Sequence, residues 1–394
     1  MPKKKEILPT GWEMKKFGDF LTESRVTGSN GLVARKITIK LYGRGIQEKL
    51  EKRSGSENTQ YFKRFKSQFI YSKLDFLNGA FAIIPEHLDE FESTADLPAF
   101  DVSEKMNRYW LLFYVARESF YKSYSGEASG SRKARRVHPE EFLNSKFFCP
   151  PLPEQVRIAS VLSSVDDLLS ASRLMLERWK KIRNRTAEKL LLGNWEIKPL
   201  LKVCSSIRVG IASSATHAYA EKSEGVPILR NLNIKEGYID ASDLMYVSRE
   251  FDIEHKKKRI QKNDVITVRT GNPGSSAVVT DEFYGCQTFT TLISTPKLEY
   301  LRPDYLCLWI NSEEGKKFVQ AGQAGGAQKN LNVGTLEKMP IPLPPLEEQE
   351  RIVTILSSFD ARIRSEEQYI LQLENIKKGL MQFLLTGRYL LGAL

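Results

Sequence analysis

The strongest constraint on this chain is an internal duplication. Pro150-Pro151-Leu152-Pro153-Glu154-Gln155-Val156-Arg157-Ile158 returns as Pro344-Pro345-Leu346-Glu347-Glu348-Gln349-Glu350-Arg351-Ile352, a shift of 194 positions. The same shift carries Leu162-Ser163-Ser164 onto Leu356-Ser357-Ser358, Asp166 onto Asp360, Leu190-Leu191 onto Leu384-Leu385 and Gly193 onto Gly387. Fifteen of the 44 positions from 150 to 193 are identical without a gap, where chance would give about two or three. Upstream, the Gly-rich polar stretch from Ser125 to Val137 aligns with Val319 to Leu331. Trp12-Glu13-Met14-Lys15-Lys16-Phe17 resembles Trp195-Glu196-Ile197-Lys198-Pro199-Leu200 at a shift of 183, so the halves differ by 11 inserted residues. The order is variable region, helix, variable region, helix.

The repeated segments read as long helices. In the first, Ile158, Val161, Val165, Leu168, Ser172, Met175, Trp179, Ile182, Thr186 and Lys189 alternate three and four apart, a coiled-coil seam weakest at Ser172 and Thr186. In the second, Ile352, Ile355, Phe359, Tyr369, Leu373, Ile376, Leu380 and Phe383 keep the rhythm, with Leu356, Ile363 and Ile370 as an adjoining stripe. Prolines before each helix and Gly193 and Gly387 after it mark the ends. About 40 residues at ~1.5 Å per residue gives a helix of about 60 Å. Neither helix covers its apolar stripe alone, and antiparallel pairing is the simplest solution. The expected fold class is α+β: two mixed α/β domains separated by a pair of long antiparallel coiled-coil helices, with pseudo-two-fold duplication. The expected boundaries are 1–150, 151–193 (first helix), 194–341 and 342–394 (second helix and tail). Within the variable regions, Pro227–Arg230, Asp264–Arg269 and Ser276–Val279 read as strands, and Arg108–Phe120 and Arg302–Asn311 as amphipathic helices.

Composition narrows the class. A hydrophobic fraction of 41% and a charged fraction of 27% are globular values. The longest strongly apolar run, Tyr109 to Ala116, is too short to span a bilayer, and the lysine-rich start has no apolar segment behind it. Cys149, Cys204, Cys286 and Cys307 lie far apart without CxxC spacing, which excludes a zinc ribbon and disfavours a disulfide framework. A soluble, cytoplasmic protein is expected. No phosphate-binding loop, HExxH, GxSxG or SxxK occurs, and His87, His138, His217 and His255 are dispersed. Gly43-Arg44-Gly45 lacks a third glycine and suits a turn. Asn272-Pro273 is followed by Gly274 and is not the Asn/Asp-Pro-Pro-aromatic motif of an amino-methylating enzyme. These absences argue against an enzyme acting alone and for no metal site.

The repeated Pro-Pro-Leu-x-Glu-Gln-x-Arg-Ile, leading into a Leu-Ser-Ser-x-Asp helix behind each variable region, resembles the specificity subunit of type I restriction–modification enzymes. Val226–Ile234, Asn263–Gly271 and Gln328–Asn332 also resemble segments of that family. Pro153 in place of a second glutamate and Phe147-Phe148-Cys149 before the first helix depart from its pattern. The resemblance implies that each variable region is a target recognition domain reading one half of a bipartite, asymmetric site in double-stranded DNA. The helices would set the spacing and dock two modification subunits, which hold S-adenosylmethionine and methylate adenine N6 on a flipped base. Two restriction subunits, using ATP and Mg, would complete the complex. This chain would be non-catalytic and hold no cofactor. Glu154, Gln155, Arg157, Glu348, Gln349 and Arg351 would serve subunit docking, although capping is the ordinary reading of acidic residues in a first helical turn.

Charge suggests where DNA is gripped. Of the net +11, residues 1–150 carry +7, 151–193 +3, 194–341 +2 and 342–394 −1. The densest basic runs are Arg132-Lys133-Ala134-Arg135-Arg136 and Lys256-Lys257-Lys258-Arg259. The first lies in the Gly/Ser loop that matches the loop holding Gln328, Lys329 and Asn330. Small residues let backbone approach DNA, Arg can fork to guanine, and Asn or Gln can pair with adenine. Arg132, Lys133, Arg135, Arg136, Gln328, Lys329 and Asn330 are therefore DNA-binding candidates. Arg269, Thr270 and Asn272 join them from a Gly/Pro turn after a strand, and Lys40 and Arg44 from around Gly43–Gly45. Two other classes stay open on the residues alone: a coiled-coil scaffold joining two protein-binding domains, and an RNA binder, which the lack of stacking motifs disfavours.

Overall fold

The computed structural model describes residues 9–50, 55–127, 136–213, 215–322 and 330–387. Its chain divides into two compact units, residues 1–174 with 368–394, and residues 175–367. The division cuts through both long helices, so each unit holds one variable region and a portion of each helix.

In the first unit, β1 (Leu21–Ser24), β2 (Phe69–Tyr71), β3 (Phe81–Ile83) and β4 (Ala99–Val102) form an antiparallel sheet in the order β1-β4-β2-β3. Its core is aromatic. Phe17 stacks on Phe142 and Phe147 with centroids 4.6 and 4.3 Å apart, and Phe69, Tyr71, Phe81, Phe100 and Trp110 are fully buried beside them. Strand Glu13–Lys16 pairs antiparallel with Lys146–Cys149, the segment that leads into the first long helix. The expected helix from Arg108 is two pieces, Arg108–Val115 and Glu118–Ser123, divided at Ala116-Arg117.

The second unit repeats this plan. Strands β5 (Cys204–Val209), β6 (Val226–Arg230), β7 (Val265–Val268), β8 (Ser276–Val278), β9 (Gln287–Phe289) and β10 (Thr291–Pro296) include an antiparallel sheet in the order β5-β10-β7-β8, equivalent strand by strand to that of the first unit. Beside it, β6 pairs in parallel with β9. Glu196–Pro199 pairs with Pro340–Leu343, as Glu13–Lys16 pairs with Lys146–Cys149. The match extends to a turn. Ser67 and Asn263 both take left-handed φ values, 71° and 72°, just before β2 and β7. In each turn the next side chain accepts a backbone N–H: Gln68 Oε1 from Phe65 at 2.9 Å, Asp264 Oδ2 from Gln261 at 2.9 Å. The duplication is thus structural and persists where sequence identity has gone. All four cysteines are free and buried, and burial pushes the Cys149 and Cys286 thiols up to about 11 and those of Cys204 and Cys307 to about 12. Among the described residues no helix is long and apolar enough to cross a membrane.

The long helices span Leu152–Leu191 and Leu346–Leu384. Their ends belong to the domain cores at repeat-equivalent positions. Ile158, Leu162 and Leu385 are buried in the first unit, and Ile352, Leu356 and Leu191 in the second. Between these ends the helices contact each other within each unit. In the first, Val165 and Leu169 pack with Leu373, Asp166 pairs with Lys377 at 2.5 Å and Arg173 with Glu374 at 2.6 Å. In the second, Lys180 pairs with Glu367 at 2.9 Å, Arg183 grips Asp360 through two N–H groups, and Trp179 meets Phe359. Partner numbers fall on one helix as they rise on the other, so within each unit the two segments run in opposite directions.

The seam keeps one half of the expected positions, with Val165, Ser172 and Leu373 buried and Trp179 against Phe359, and loses the other half. Val161, Leu168, Met175 and Ile182 are 41–48% exposed, whereas Leu162 and Leu169 are buried. On the second helix Tyr369, Ile376 and Phe383 are 43–54% exposed, and Leu356 and Leu373 are buried. Of the adjoining stripe, Leu356 is buried in the second unit's core and Ile370 packs against Val165, Leu169 and Leu373. The pairing surface thus straddles the expected stripe and its neighbour, with the ion pairs Asp166–Lys377 and Arg173–Glu374 flanking Leu169 and Leu373. Leu373→Ala should therefore cost about 2–5 kcal/mol, and Ile376→Ala within about 0.5 kcal/mol. Urea unfolding of the two variants checks this; equal losses would restore Ile376 to the seam.

Candidate nucleic-acid interface

Fully buried strands β2 and β7 end abruptly in polar turns, and these turns gather five of the seven candidates among the described residues. In the second unit β7 is followed by Arg269-Thr270-Gly271-Asn272-Pro273-Gly274, where Gly271 and Gly274 have φ of 86° and 102° and so require glycine. Asn231, one residue past the end of β6, directs its Nδ2 to the Thr270 hydroxyl at 2.6 Å, the Thr270 carbonyl at 3.1 Å and the Thr290 hydroxyl at 3.0 Å. Three chain segments are thereby locked at one strand end. Leu331 N–H donates to the Arg269 carbonyl at 3.0 Å, tying the close of the Gly-rich loop to the same place.

This cluster is under-satisfied. Among the described residues, Arg269 Nε, Arg230 Nε, Asn231 Oδ1, Thr288 Oγ1 and Thr291 Oγ1 are buried without a hydrogen-bond partner. Each such group costs about 1–3 kcal/mol, and buried polar groups are otherwise nearly always paired. A concentration of orphans beside a polar turn fits a surface completed by a ligand or by water.

The first unit has the equivalent turn. Lys73 follows β2 closely, and its carbonyl accepts from Val137 N–H at 3.1 Å, as the Arg269 carbonyl does from Leu331. The Lys73 side chain is half-buried, and burial pulls its ammonium below the usual lysine range. Arg136, next to Val137, is exposed and lies 3.9 Å from Asp96. Lys40 and Arg44 are both exposed on the hairpin of Ile37–Ile39 and Ile46–Glu48. The hairpin tip docks on the turn between β2 and β3, with Tyr42 N–H donating to Asn78 and Gly43 N–H to Gly79.

The candidates thus fall in groups. Arg269, Thr270 and Asn330 converge on the β7 turn, and exposed Asn272 hydrogen-bonds Ser275 Oγ within that turn. Arg132, Lys133, Arg135, Gln328 and Lys329 lie outside the described residues. The run at Lys256–Arg259 is partly engaged internally: Arg259 holds the buried Asp252 through two N–H groups, and Lys258 Nζ donates to the Gly210 carbonyl at 2.8 Å. Asn231 was absent from the sequence-based candidates, although it sits in Val226–Ile234, one of the stretches that resembled the family. Among the described residues no group of three His, Cys, Asp or Glu side chains could hold a metal ion.

The six docking candidates separate by burial. Gln155 and Gln349 are 1% and 0% exposed and spend their amides internally. Gln155 Oε1 accepts from Asn107 N–H at 2.8 Å and its Nε2 donates to the Pro150 carbonyl at 2.9 Å. Gln349 does the same with Arg302 N–H and Pro344, and also donates to the Tyr300 carbonyl at 2.8 Å. Asn107 and Arg302 are the N-caps of helices Arg108–Val115 and Pro303–Ile310. Each glutamine is thus a strut between a long helix and the domain helix it supports, and its amide is not offered to a partner. Arg157 is exposed, Glu154 accepts from Trp12 Nε1 at 3.2 Å, and Glu348 pairs at the surface with Arg351. Replacing Gln349 with Ala should cost about 1–3 kcal/mol for each buried group left unpaired, whereas Glu348→Gln at the half-exposed neighbour should cost under about 1 kcal/mol. Equal unfolding midpoints for the two variants would remove the strut role.

Comparison with known proteins agrees with this architecture. A family model described as the type I restriction modification DNA specificity domain matches residues 9–177 and again 193–375, one copy in each half. The EcoBI specificity subunit of Escherichia coli is 22% identical over 249 residues, 56% of this chain and 52% of that protein, so the match spans about half of its length. The MjaVIII specificity subunit of Methanocaldococcus jannaschii is 25% identical, over 70% of this chain and 69% of that one. In fold, the chain is similar to one from a study of complex assembly and conformational transition of the type I R-M system, with TM-score 0.60, 15% identity and coverage of 98% and 100%. It is also similar to the S subunit of such a system from M. genitalium, with TM-score 0.58, 12% identity and coverage of 97% and 98%. With both halves matched over most of their length, the chain belongs to the type I restriction–modification DNA specificity family.

Proposed function

We propose that this chain is the non-catalytic, sequence-reading subunit of a type I restriction–modification complex. Each unit reads one half of a bipartite, asymmetric duplex site. The observation that carries this reading is the repeated strand-end turn, where a basic residue and the close of a Gly-rich loop are tied together by one backbone hydrogen bond in each unit. Phosphate contacts by lysine and arginine would position the duplex, and the loops and turns would read base edges.

The long helices are the spacer and the seat for two adenine-N6 modification subunits, which would bring S-adenosylmethionine; restriction subunits would bring ATP and Mg. Support for docking comes from the helix faces turned away from the pairing seam. Val161, Leu168, Tyr369, Ile376 and Phe383 in the first unit, and Met175 and Ile182 in the second, leave apolar surface in water at seven-residue intervals. An apolar heptad face suits a partner helix.

Methylation mapping of a host expressing this chain with its modification subunits tests the reading. The expected result is one new methylated motif with two half-sites and a fixed gap. A continuous motif, or none, would overturn it. Seven residues inserted after both Leu174 and Glu367 extend each helix by two turns, about 10.5 Å, and leave the pairs within each unit intact. At ~3.4 Å per base pair, the gap should grow by about three pairs with both half-sites unchanged. Changed half-sites would rule out a ruler.

A further inference from the structure

The duplicated recognition regions have little sequence in common, so a feature that both keep at one place in the fold points to something both half-sites share. Half-sites of an asymmetric target differ in their bases. They share the phosphate backbone.

Lys73 and Arg269 are such a feature. Each follows the equivalent strand, β2 or β7, and each has its carbonyl bonded to the residue that closes the Gly-rich loop, Val137 at 3.1 Å and Leu331 at 3.0 Å. Both are cationic, and neither has a carboxylate in salt-bridge range among the described residues. Burial disfavours the Lys73 charge, and Asp96 and Glu23 support it at longer range against Arg25 and Arg136. Arg269 keeps its Nε buried and unpartnered, while its carbonyl anchors the loop. Elsewhere, wholly or partly buried arginines are paired or used internally: in the second unit Arg208 with Asp264, Arg259 with Asp252 and Arg230 with Asp243, and in the first Arg64 with Ser93 and the Ser24 carbonyl. A half-buried cation with no carboxylate in contact is costly unless an anion arrives to pair with it.

Around this shared position the chemistry diverges. Thr270 and Asn231 flank Arg269, whereas Leu74 and Asp75 follow Lys73. The loop residues before Val137 and Leu331 are Arg136 and Asn330. Residues that differ between the units can read bases, which differ between half-sites.

We propose that Lys73 and Arg269 are a matched pair of phosphate anchors, one for each half-site, that set the register in which the neighbouring loop meets base edges. The assignment rests on the sequence-reading function proposed above. Tying loop and anchor through one carbonyl places the reading residues at a constant offset from the backbone contact.

The test measures binding of the full chain, purified with its modification subunits, to a duplex carrying the mapped site over a range of salt concentrations. Lys73→Met and Arg269→Gln remove the charge and keep most of the stem. Each should lower the salt slope of log K by about 0.9, and the double variant by about 1.8. The methylated motif should stay unchanged, and Lys73→Arg and Arg269→Lys should restore the slope. An unchanged slope in variants that melt like the parent overturns the pairing. A relaxed or altered half-site also overturns it, because the residue would then read a base. If the parent complex itself shows no sequence preference, the functional reading fails first, and the two failures are distinct.

Discussion

A helix of 40 residues with an apolar face cannot remain exposed in water, and the rest of this structure follows from how that face is covered. Each long helix buries its beginning in one domain core and its end in the other, at repeat-equivalent positions: Ile158 and Leu191 on the first, Ile352 and Leu385 on the second. The middle is covered by the other helix, with Val165, Leu169 and Leu373 as the apolar contact in the first unit. Arg183 with Asp360 and Lys180 with Glu367 fix register in the second. Exposed ion pairs of this kind contribute little stability singly, so the apolar contacts supply the energy and the charges select among registers.

The buried glutamines show how a helix start becomes part of a domain. Gln155 and Gln349 satisfy a backbone donor at the N-cap of a domain helix and a proline carbonyl at the start of their own helix. Neutral amides can do both because they donate and accept at once; a glutamate could only accept and would bring charge into a buried place. The recurrence of Glu-Gln in both repeats is explained by this geometry for the glutamine. It leaves the surface glutamate and arginine as the members of the motif that can meet a partner.

Much of this was legible in the residues. The shift of 194 positions located both helices, and short runs bounded by turns, Asp264–Arg269 and Ser276–Val279, located two strands of the second sheet. The flank of the seam was not legible beyond Val165, Ser172 and Leu373, because Val161 and Leu162, or Leu168 and Leu169, are adjacent apolar residues that satisfy neighbouring stripes equally. Only the partner's position breaks that tie. Burial of Gln155 was hidden for a related reason: a polar residue in a first helical turn ordinarily faces water, and the N-cap it supports lies 48 residues away in sequence. Asn231 was hidden because its partners, Thr270 and Thr290, come from turns 39 and 59 residues away in sequence.

Charge gave an incomplete guide to the interface. The excess of basic residues before position 150 suggests that the first unit grips DNA harder, yet the equivalent turns place in each unit one cation without a salt-bridged carboxylate among the described residues. What differs is the surroundings. The second unit adds amide and hydroxyl groups, Asn231, Thr270 and Thr290, several already bonded to one another. The first adds cations, Arg136 beside Lys73 and exposed Lys40 and Arg44 on the neighbouring hairpin. A network of hydroxyls and amides is directional and suited to base edges, whereas mobile cations draw on long-range attraction that salt screens. Two copies of one scaffold can therefore divide recognition differently between geometry and charge, while a shared anchor keeps each loop in register with the duplex it reads.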